Sequence, residues 1–351
     1  MVVEPLDAPR IDPTPIFEQF RGSYGSELLT AAVAHFNVFG RVVEDRPTVA
    51  GLRSALGLAE RPMVVLLTAL RAMKLLALDA DDRLALTPMA QEHLVPGGRL
   101  DVSDYVGLAA DSPGVLEMVE RLRSNRPAGA DGEGAGTAFI YRDGVASAME
   151  DEGLARHFTL ALAGRAKNVA PILAERVPLN GATALLDVGG GTGIYSVALL
   201  RRELSLRAVV LDRPEVLKTA QEFAQRYGVA DRLECREGDM FADAPWPEAD
   251  VVLLSNVLHD WDGPECRTLV RRAARAVRPG GQVWIHDVFL NDAHDGPLPI
   301  ALYSAALFTL TEGRAYSQAE YRAWFEDAGL RPGTKIDTLI HCGVLPGHKP
   351  A

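Results

Sequence analysis

The chain of 351 residues contains three cysteines, Cys235, Cys266 and Cys342. They are odd in number, widely spaced and form no CxxC pair. That excludes a disulfide framework and a Cys/His metal cluster and leaves reduced thiols as the expected state. Positive charge is also scarce. The 36 Lys and Arg stand against 47 Asp and Glu, a formal net charge of -11, which argues against a nucleic-acid binder, because displacing counterions needs a basic face. Long apolar runs are lacking, so no segment is expected to span a membrane. Met1–Pro15 holds acids and prolines rather than a basic stretch followed by an apolar one; no signal peptide is expected, and the protein is read as cytoplasmic. Internal repeats are absent. The only low-complexity tract is Pro127–Thr137, rich in Gly and Ala and expected to be a loop or a cap.

What remains is a composition of 48% hydrophobic and 24% charged residues, ordinary for a soluble globular protein and long enough for two domains. The first hundred or so residues read as helical. Ile16–Phe36 carries apolar residues at helical spacing, Thr48 opens a short helix that Gly57 ends, and Arg61-Pro62 starts a third. The third helix presents Val64, Leu67, Leu70 and Met73 as an apolar stripe. Leu75–Leu78 and Arg83–Leu86, joined through Asp79–Asp82, then suggest a hairpin, so that the whole looks like a winged helix. The would-be recognition helix offers mainly Val, Leu, Ala, Thr and Met to a base edge, so packing or dimerisation is expected rather than DNA reading.

Another amphipathic helix is expected over Glu152–Glu175. Beyond it, strand-length apolar runs alternate with amphipathic helices: Ala184–Val188, Arg207–Leu211, Arg232–Glu237, Val251–Ser255 and Gln282–Asp287. This is the pattern of βαβ units and a doubly wound parallel sheet. Ile336–Leu345 would add one or two closing strands. The expected class is therefore α/β, a Rossmann-like sheet domain over residues 114–351, preceded by a mainly α domain over residues 1–113.

The first strand of the sheet runs into Asp187-Val188-Gly189-Gly190-Gly191-Thr192-Gly193. A GxGxxG loop would cradle a pyrophosphate, whereas Gly189, Gly191 and Gly193 have GxGxG spacing preceded by an acid. S-adenosylmethionine (SAM) has no phosphate but has an ammonium, and Asp187 is placed to accept from it. Asp212 ends the second strand about 20 positions on, where ribose hydroxyls are bound in this architecture. Gly238-Asp239-Met240-Phe241 follows the third strand; Asp239 can accept from the adenine amino group while Met240 packs on the ring. Each feature alone is weak, but three at successive strand ends in this order point to SAM.

Together with Asp212-Arg213-Pro214, Arg278-Pro279-Gly280-Gly281 and above all Leu258-His259-Asp260-Trp261, these motifs give a chain that resembles the small-molecule O-methyltransferases of the caffeic acid and hydroxyindole type, including their bacterial secondary-metabolism relatives. The resemblance covers nearly the whole chain. It implies a class I SAM methyltransferase domain behind a winged-helix dimerisation domain, a homodimer, and a small phenolic or enolic acceptor. It also implies His259 as general base, Asp287 as the acid that orients it, and Trp261 as a cover for the adenine. Phe158, Leu162, Asn256, Tyr303 and Phe308 would line the acceptor pocket.

Three positions depart from the family. Asp287 is shorter than the usual glutamate, Ala315 stands where a second acid follows a Gly-Arg pair, and Ser255 replaces a lysine four residues before the histidine. Ser255 is still grouped with the cofactor-binding residues. The departures keep C-methylation of a ring carbon or of the β-carbon of an α-keto acid open as the alternative, with a SAM-sensing regulator as a remote one. His286 and His341 have no metal-ligand spacing, and no metal is expected.

Overall fold

In the computed structural model, which describes residues 3–127 and 152–351, the chain divides into two compact units. The helical unit is drawn from Glu18–Ala138 and Leu290–Ala315, the sheet unit from Met1–Phe17, Phe139–Phe289 and Tyr316–Ala351. The sequence reading cuts the chain once, at residue 113; here the chain passes between the units more than once.

In the helical unit, local chemistry sets the element ends. The Thr48 hydroxyl accepts the Gly51 N–H at 3.1 Å and caps Val49–Leu56, and Gly57 closes that helix at φ 66°. The helix Glu60–Ala72 is buried over most of its surface, including Met63, Leu66, Leu67 and Leu70, a wider face than a single stripe. Each such side chain, fully buried, contributes about 1.5–3 kcal/mol. A hairpin follows, β1 (Leu76–Leu78) antiparallel to β2 (Leu84–Leu86). The continuous helix expected over Ile16–Phe36 is instead Thr14–Phe20, Ser23–Thr30 and a π-helical turn Ala31–His35. Gly22 stands at the first break, where the missing side chain removes helix propensity. The tract at Pro127–Thr137 lies, apart from Pro127, outside the described residues.

The sheet unit contains β3 (Ala184–Val188), β4 (Arg207–Asp212), β5 (Leu233–Glu237), β6 (Ala249–Ser255) and β7 (Val277–Leu290), all parallel. Short strands β8 (Tyr316–Ser317), β9 (Arg331–Pro332) and β10 (Ile336–Asp337) lead to β11 (Cys342–His348), which lies antiparallel to β7. The order is β10-β11-β7-β6-β3-β4-β5. Val251–Leu254 of β6 is buried throughout, as the near-continuous apolar run of a strand covered on both faces requires. From β3 the chain moves outward through β4 and β5, then returns with β6 on the other side of β3. That reversal is a topological switch point, where the crevice beyond the strand C-termini accepts ligands. The residues at that crevice are Asp187–Gly193 after β3 and Ser255–Asp260 after β6.

A capping box starts the helix Gln318–Asp327. The Glu320 N–H donates to Ser317 Oγ at 3.2 Å, and the Ser317 N–H donates to the Glu320 carboxylate at 2.7 Å. Such a cap is worth about 1 kcal/mol, and here it fixes the turn that carries the wholly buried Tyr321. Among the described residues no helix is long and apolar enough to cross a membrane.

Candidate active site

The glycine spacing has its physical reason in the backbone. Gly189, Gly191 and Gly193 adopt φ 64°, 60° and 66°, a region that side-chain-bearing residues rarely visit. A Cβ on Gly189 would lie 3.0 Å from Val257, and one on Gly193 3.1 Å from Val210, whereas one on Gly191 would meet nothing within 4 Å. A Cβ on Gly190 would lie 2.8 Å from the Asp187 carboxyl, so of the four glycines only Gly191 leaves open space. Asp212 organises it by accepting the Gly191 N–H at 2.9 Å and the Arg213 N–H at 2.8 Å.

Asp187, fully buried, accepts from Ser196 Oγ at 2.7 Å through Oδ2. Its other oxygen, Oδ1, is buried without a hydrogen-bond partner. Burial pushes this carboxyl up to about 7 against the Ser196 hydrogen bond, and the neighbouring Asp212 pushes the same way. A desolvated carboxyl with an orphaned acceptor is stabilised by a nearby positive charge, and the ammonium of SAM has that chemistry. Burial also raises Asp212, against the pull of its two N–H donors. Asp239 is exposed and turns Oδ1 to the Phe241 N–H at 2.8 Å. Met240 is half-buried against the core of the sheet unit, and Trp261 meets Phe241 edge to face at 4.8 Å. The Trp261 carbonyl is held by the Tyr316 hydroxyl at 2.5 Å, and its indole N–H is buried without a partner.

After β6, a 3₁₀ turn Leu258–Asp260 carries His259. Its Nδ1 lies 2.6 Å from Asp287 Oδ1, and its Nε2 lies 3.6 Å from Asp260 Oδ1. Asp287 is anchored in turn: Oδ1 accepts the Val288 N–H at 2.8 Å and Oδ2 accepts from the Tyr321 hydroxyl at 3.2 Å. A carboxylate only accepts, so the hydrogen of His259 sits on Nδ1 and the lone pair is at Nε2. Burial pulls the imidazole down, but the charges of Asp287 and Asp260 and the hydrogen bond to Asp287 outweigh it, and the group titrates above its ordinary value. Asp260 is desolvated and pushed up to about 7, against the charge of His259, and its Oδ1 has no hydrogen-bond partner.

Ser255 is committed within the protein, its hydroxyl 2.8 Å from His286 Nδ1 and 3.1 Å from the Asn256 amide. His286 also reaches the Thr338 hydroxyl at 3.3 Å, and burial followed by the Arg165 charge lowers it to about 3, so it stays neutral. Asn256 sits at φ 55° and accepts from Arg165 at 2.9 Å. Phe158 is half-buried and Leu162 is 54% exposed. In the helical unit, Tyr303 lies under the Arg21 guanidinium at 3.6 Å, and Phe308 is 0% exposed within the core, with Arg61 4.8 Å from its ring. Ala315 is also fully buried, its N–H donated to Ser304 Oγ at 3.1 Å. Sequence reasoning missed Tyr321, Ser196, Arg165 and the bracketing role of Asp260. The first three come from separate elements, so no spacing could reveal them. For Asp260 the only signal was adjacency to His259.

A family model for the O-methyltransferase domain matches residues 133–331. The chain is 34% identical over 322 residues to 3-hydroxy-5-methyl-1-naphthoate 3-O-methyltransferase of Streptomyces sahachiroi, covering 90% of this chain and 89% of that one. It is 29% identical over 320 residues to L-tyrosine C(3)-methyltransferase of Streptomyces lavendulae, covering 89% and 85%. Among solved structures, the crystal structure of an O-methyltransferase family 2 protein from Planctomyces limnophilus in complex with apigenin is 44% identical, with a TM-score of 0.88 over 99% of this chain and 100% of that one.

Proposed function

The chain belongs to the O-methyltransferase family and has its class I SAM methyltransferase fold, and on that premise we propose that it methylates a phenolic hydroxyl of a small polycyclic aromatic metabolite, with His259 as the base. The observation that carries the assignment of the base is the 2.6 Å contact of His259 Nδ1 with Asp287, which leaves Nε2 as the proton acceptor at the strand-end crevice. The acceptor class is supported by the hydroxynaphthoate named for one relative and the flavone bound by another.

SAM, when bound, supplies an electrophilic methyl group on a sulfonium. Asp187, the left-handed glycine loop, Asp212, Asp239, Met240 and Trp261 are the residues that would hold it. The protein's part is to orient a hydroxyl and remove its proton. A neutral imidazole at Nε2 accepts that proton as the oxygen commits to carbon, and the charge formed on the ring is stabilised by Asp287, itself pinned by Tyr321 and Val288. Asp260, 3.6 Å from Nε2, adds a second carboxyl beside the same imidazole. Most of the acceleration comes from positioning the acceptor in line with the departing sulfur.

Because His259 must be neutral to act and titrates above 6.5, kcat/KM should fall on the acid side with a midpoint above 6.5 and level off at higher pH. The sign for stability is opposite. A histidine raised by folding stabilises the protein at low pH and loses that contribution as pH rises through its folded value. A pH–rate profile checks the first statement, and an acid limb at or below 6.5 contradicts it.

Hydroxylated flavones and hydroxynaphthoates, offered with SAM, should give products one methyl heavier together with S-adenosylhomocysteine; a panel of such phenols giving no product would sink the acceptor class. The winged-helix-like element is Val49–Leu56, Glu60–Ala72 and the β1–β2 hairpin, and we read the helical unit as the dimerisation surface. Exposed Phe20, Tyr105 and Leu108 on that unit, at 81%, 77% and 81%, support the reading. Light scattering should give a dimer, and a concentration-independent monomer would refute it. Cys235, Cys266 and Cys342 form no disulfide with one another, which suits a cytoplasmic setting.

A further inference from the structure

His286 is wholly buried within β7, one residue before Asp287. Successive side chains of a strand point to opposite faces, so His286 lies on the face of the sheet away from the Asp287–His259 contact. There its ring meets Tyr195 edge to face at 4.8 Å. A buried imidazole is costly unless both nitrogens are hydrogen-bonded. Here Nδ1 lies 2.8 Å from Ser255 Oγ and Nε2 lies 3.3 Å from Thr338 Oγ1. Held neutral by burial and by the Arg165 charge, the ring does not compete with His259 for Asp287.

Ser255 is the last residue of β6 and the ladder partner of His286. The next residue, Asn256, donates its N–H to the His286 carbonyl at 2.8 Å, and its side-chain amide donates to Ser255 Oγ at 3.1 Å. Here β6 leaves the sheet. Asn256 turns at φ 55°, and the chain enters Leu258–Asp260, the turn that carries His259. One main-chain and one side-chain hydrogen bond thus join the end of β6 to the residue before Asp287. The 2.6 Å approach of His259 to Asp287 spans two segments that diverge from this junction. Misplacing a group by about 1 Å costs on the order of 100-fold in rate, so the junction has leverage on the reaction.

We propose that His286 is a positioning residue: by its hydrogen bond to Ser255 it ties the turn after β6 to β7 and so sets the distance between His259 and Asp287. The proposal rests on the reading of His259 as the base. It gives Ser255, which stands where the family has a lysine, a task inside the protein rather than at the cofactor.

The test compares wild type with His286→Phe, His286→Gln, His286→Asn, Ser255→Ala and the double variant Ser255→Ala/His286→Phe. Phenylalanine keeps a flat ring against Tyr195 without Nδ1, and glutamine carries its polar end toward Thr338. Asparagine alone restores a polar atom near the place of Nδ1. With a hydroxylated flavone as acceptor, His286→Phe, His286→Gln and Ser255→Ala should each lower kcat about tenfold or more. KM and the Kd for SAM should stay within about twofold of wild type. The groups whose charges act on His259 are Asp287, Asp260 and Arg165. Loosening the Asp287 contact should therefore move the acid midpoint of kcat/KM down toward 6.5. His286→Asn should recover kcat to within about threefold of wild type and restore the midpoint. The double variant should lose no more than either single one, because both remove the same hydrogen bond.

Wild-type kcat and midpoint in His286→Phe would overturn the proposal and leave His286 as packing. Equal impairment of the asparagine, glutamine and phenylalanine variants would overturn it too, as would losses that multiply in the double variant. Retained SAM binding shows that the variants are folded; its loss in Ser255→Ala and in all three His286 variants would make the pair a structural support for the cofactor site and contradict the proposal. Failure of the base reading appears separately, as wild-type turnover in His259→Ala.

Discussion

Replacement of His259 by alanine should lower kcat by about 100-fold or more while leaving the Kd for SAM within about twofold of wild type. The asymmetry follows from the structure. His259 stands on the turn after β6, and its polar contacts include Asp287 and Asp260. The cofactor set, Asp187, the glycine loop and Asp212, is built on β3 and β4. A phenol with an ordinary pKa near 10 is mostly protonated at neutral pH, so without a base the reaction depends on the small ionised fraction and on positioning. The loss should appear in kcat, because proton transfer is a feature of the transition state more than of ground-state binding. Turnover that survives the substitution unchanged would mean that positioning alone carries the reaction. Asp287→Asn should behave similarly: an amide at that place can offer an N–H to Nδ1 and so favour the tautomer whose Nε2 is already protonated.

Asp212→Ala should weaken SAM binding by on the order of 1.5–3 kcal/mol, the range for a hydrogen-bonded charged group. Two losses combine in that figure. The carboxylate is the acceptor expected for the ribose hydroxyls, and it also fixes the Gly191 and Arg213 N–H groups at 2.9 and 2.8 Å. The loop must hold three left-handed glycines at alternate positions, Gly189, Gly191 and Gly193, and an unanchored loop pays more ordering entropy when it closes on a ligand. Thermal unfolding should change less than affinity does, since Asp212 is only partly buried and lies at a strand end. Isothermal calorimetry decides the matter, and an unaltered Kd would remove Asp212 from the ribose site.

Much of this architecture was legible in the chain itself, for identifiable reasons. The strands β3, β4 and β6 announced themselves because a parallel sheet covered on both faces demands continuous apolar runs, whereas β5, the edge strand Leu233–Glu237, carries mainly charged residues; the GxGxG spacing announced a loop that needs left-handed backbone. Thr48 and Gly57 marked helix ends because capping is local chemistry. The placement of Leu298–Leu310 was hidden. That helix is apolar on nearly every side, so its pattern does not say which unit it packs into, and it returns to the helical unit from beyond the sheet. The break at Gly22 was hidden as well, since apolar residues continue at helical spacing through it.

At the site, strand-end position exposed Asp187, Asp212, His259 and Asp287 as candidates. It could not expose Tyr321, which reaches Asp287 across 34 residues of sequence, or Arg165, which reaches Asn256 across 91. Contacts made between elements leave no periodicity. The missing acid at Ala315 looked like a loss when read from the sequence alone. In the folded chain Ala315 is sealed in the helical unit, while Asp260, next to His259 in sequence, supplies a carboxyl 3.6 Å from Nε2.

The central claim is methyl transfer to oxygen, and the position of a labelled methyl tests it most directly. SAM carrying a carbon-13 methyl should be turned over with a hydroxylated flavone, and the product read by carbon–proton correlation. The expected product carries the label as a methoxy group that correlates with the ring carbon bearing its oxygen, and formation of that product should collapse in His259→Ala. A label bonded directly to a ring carbon would contradict O-methylation and place this chain with the C-methylating relatives.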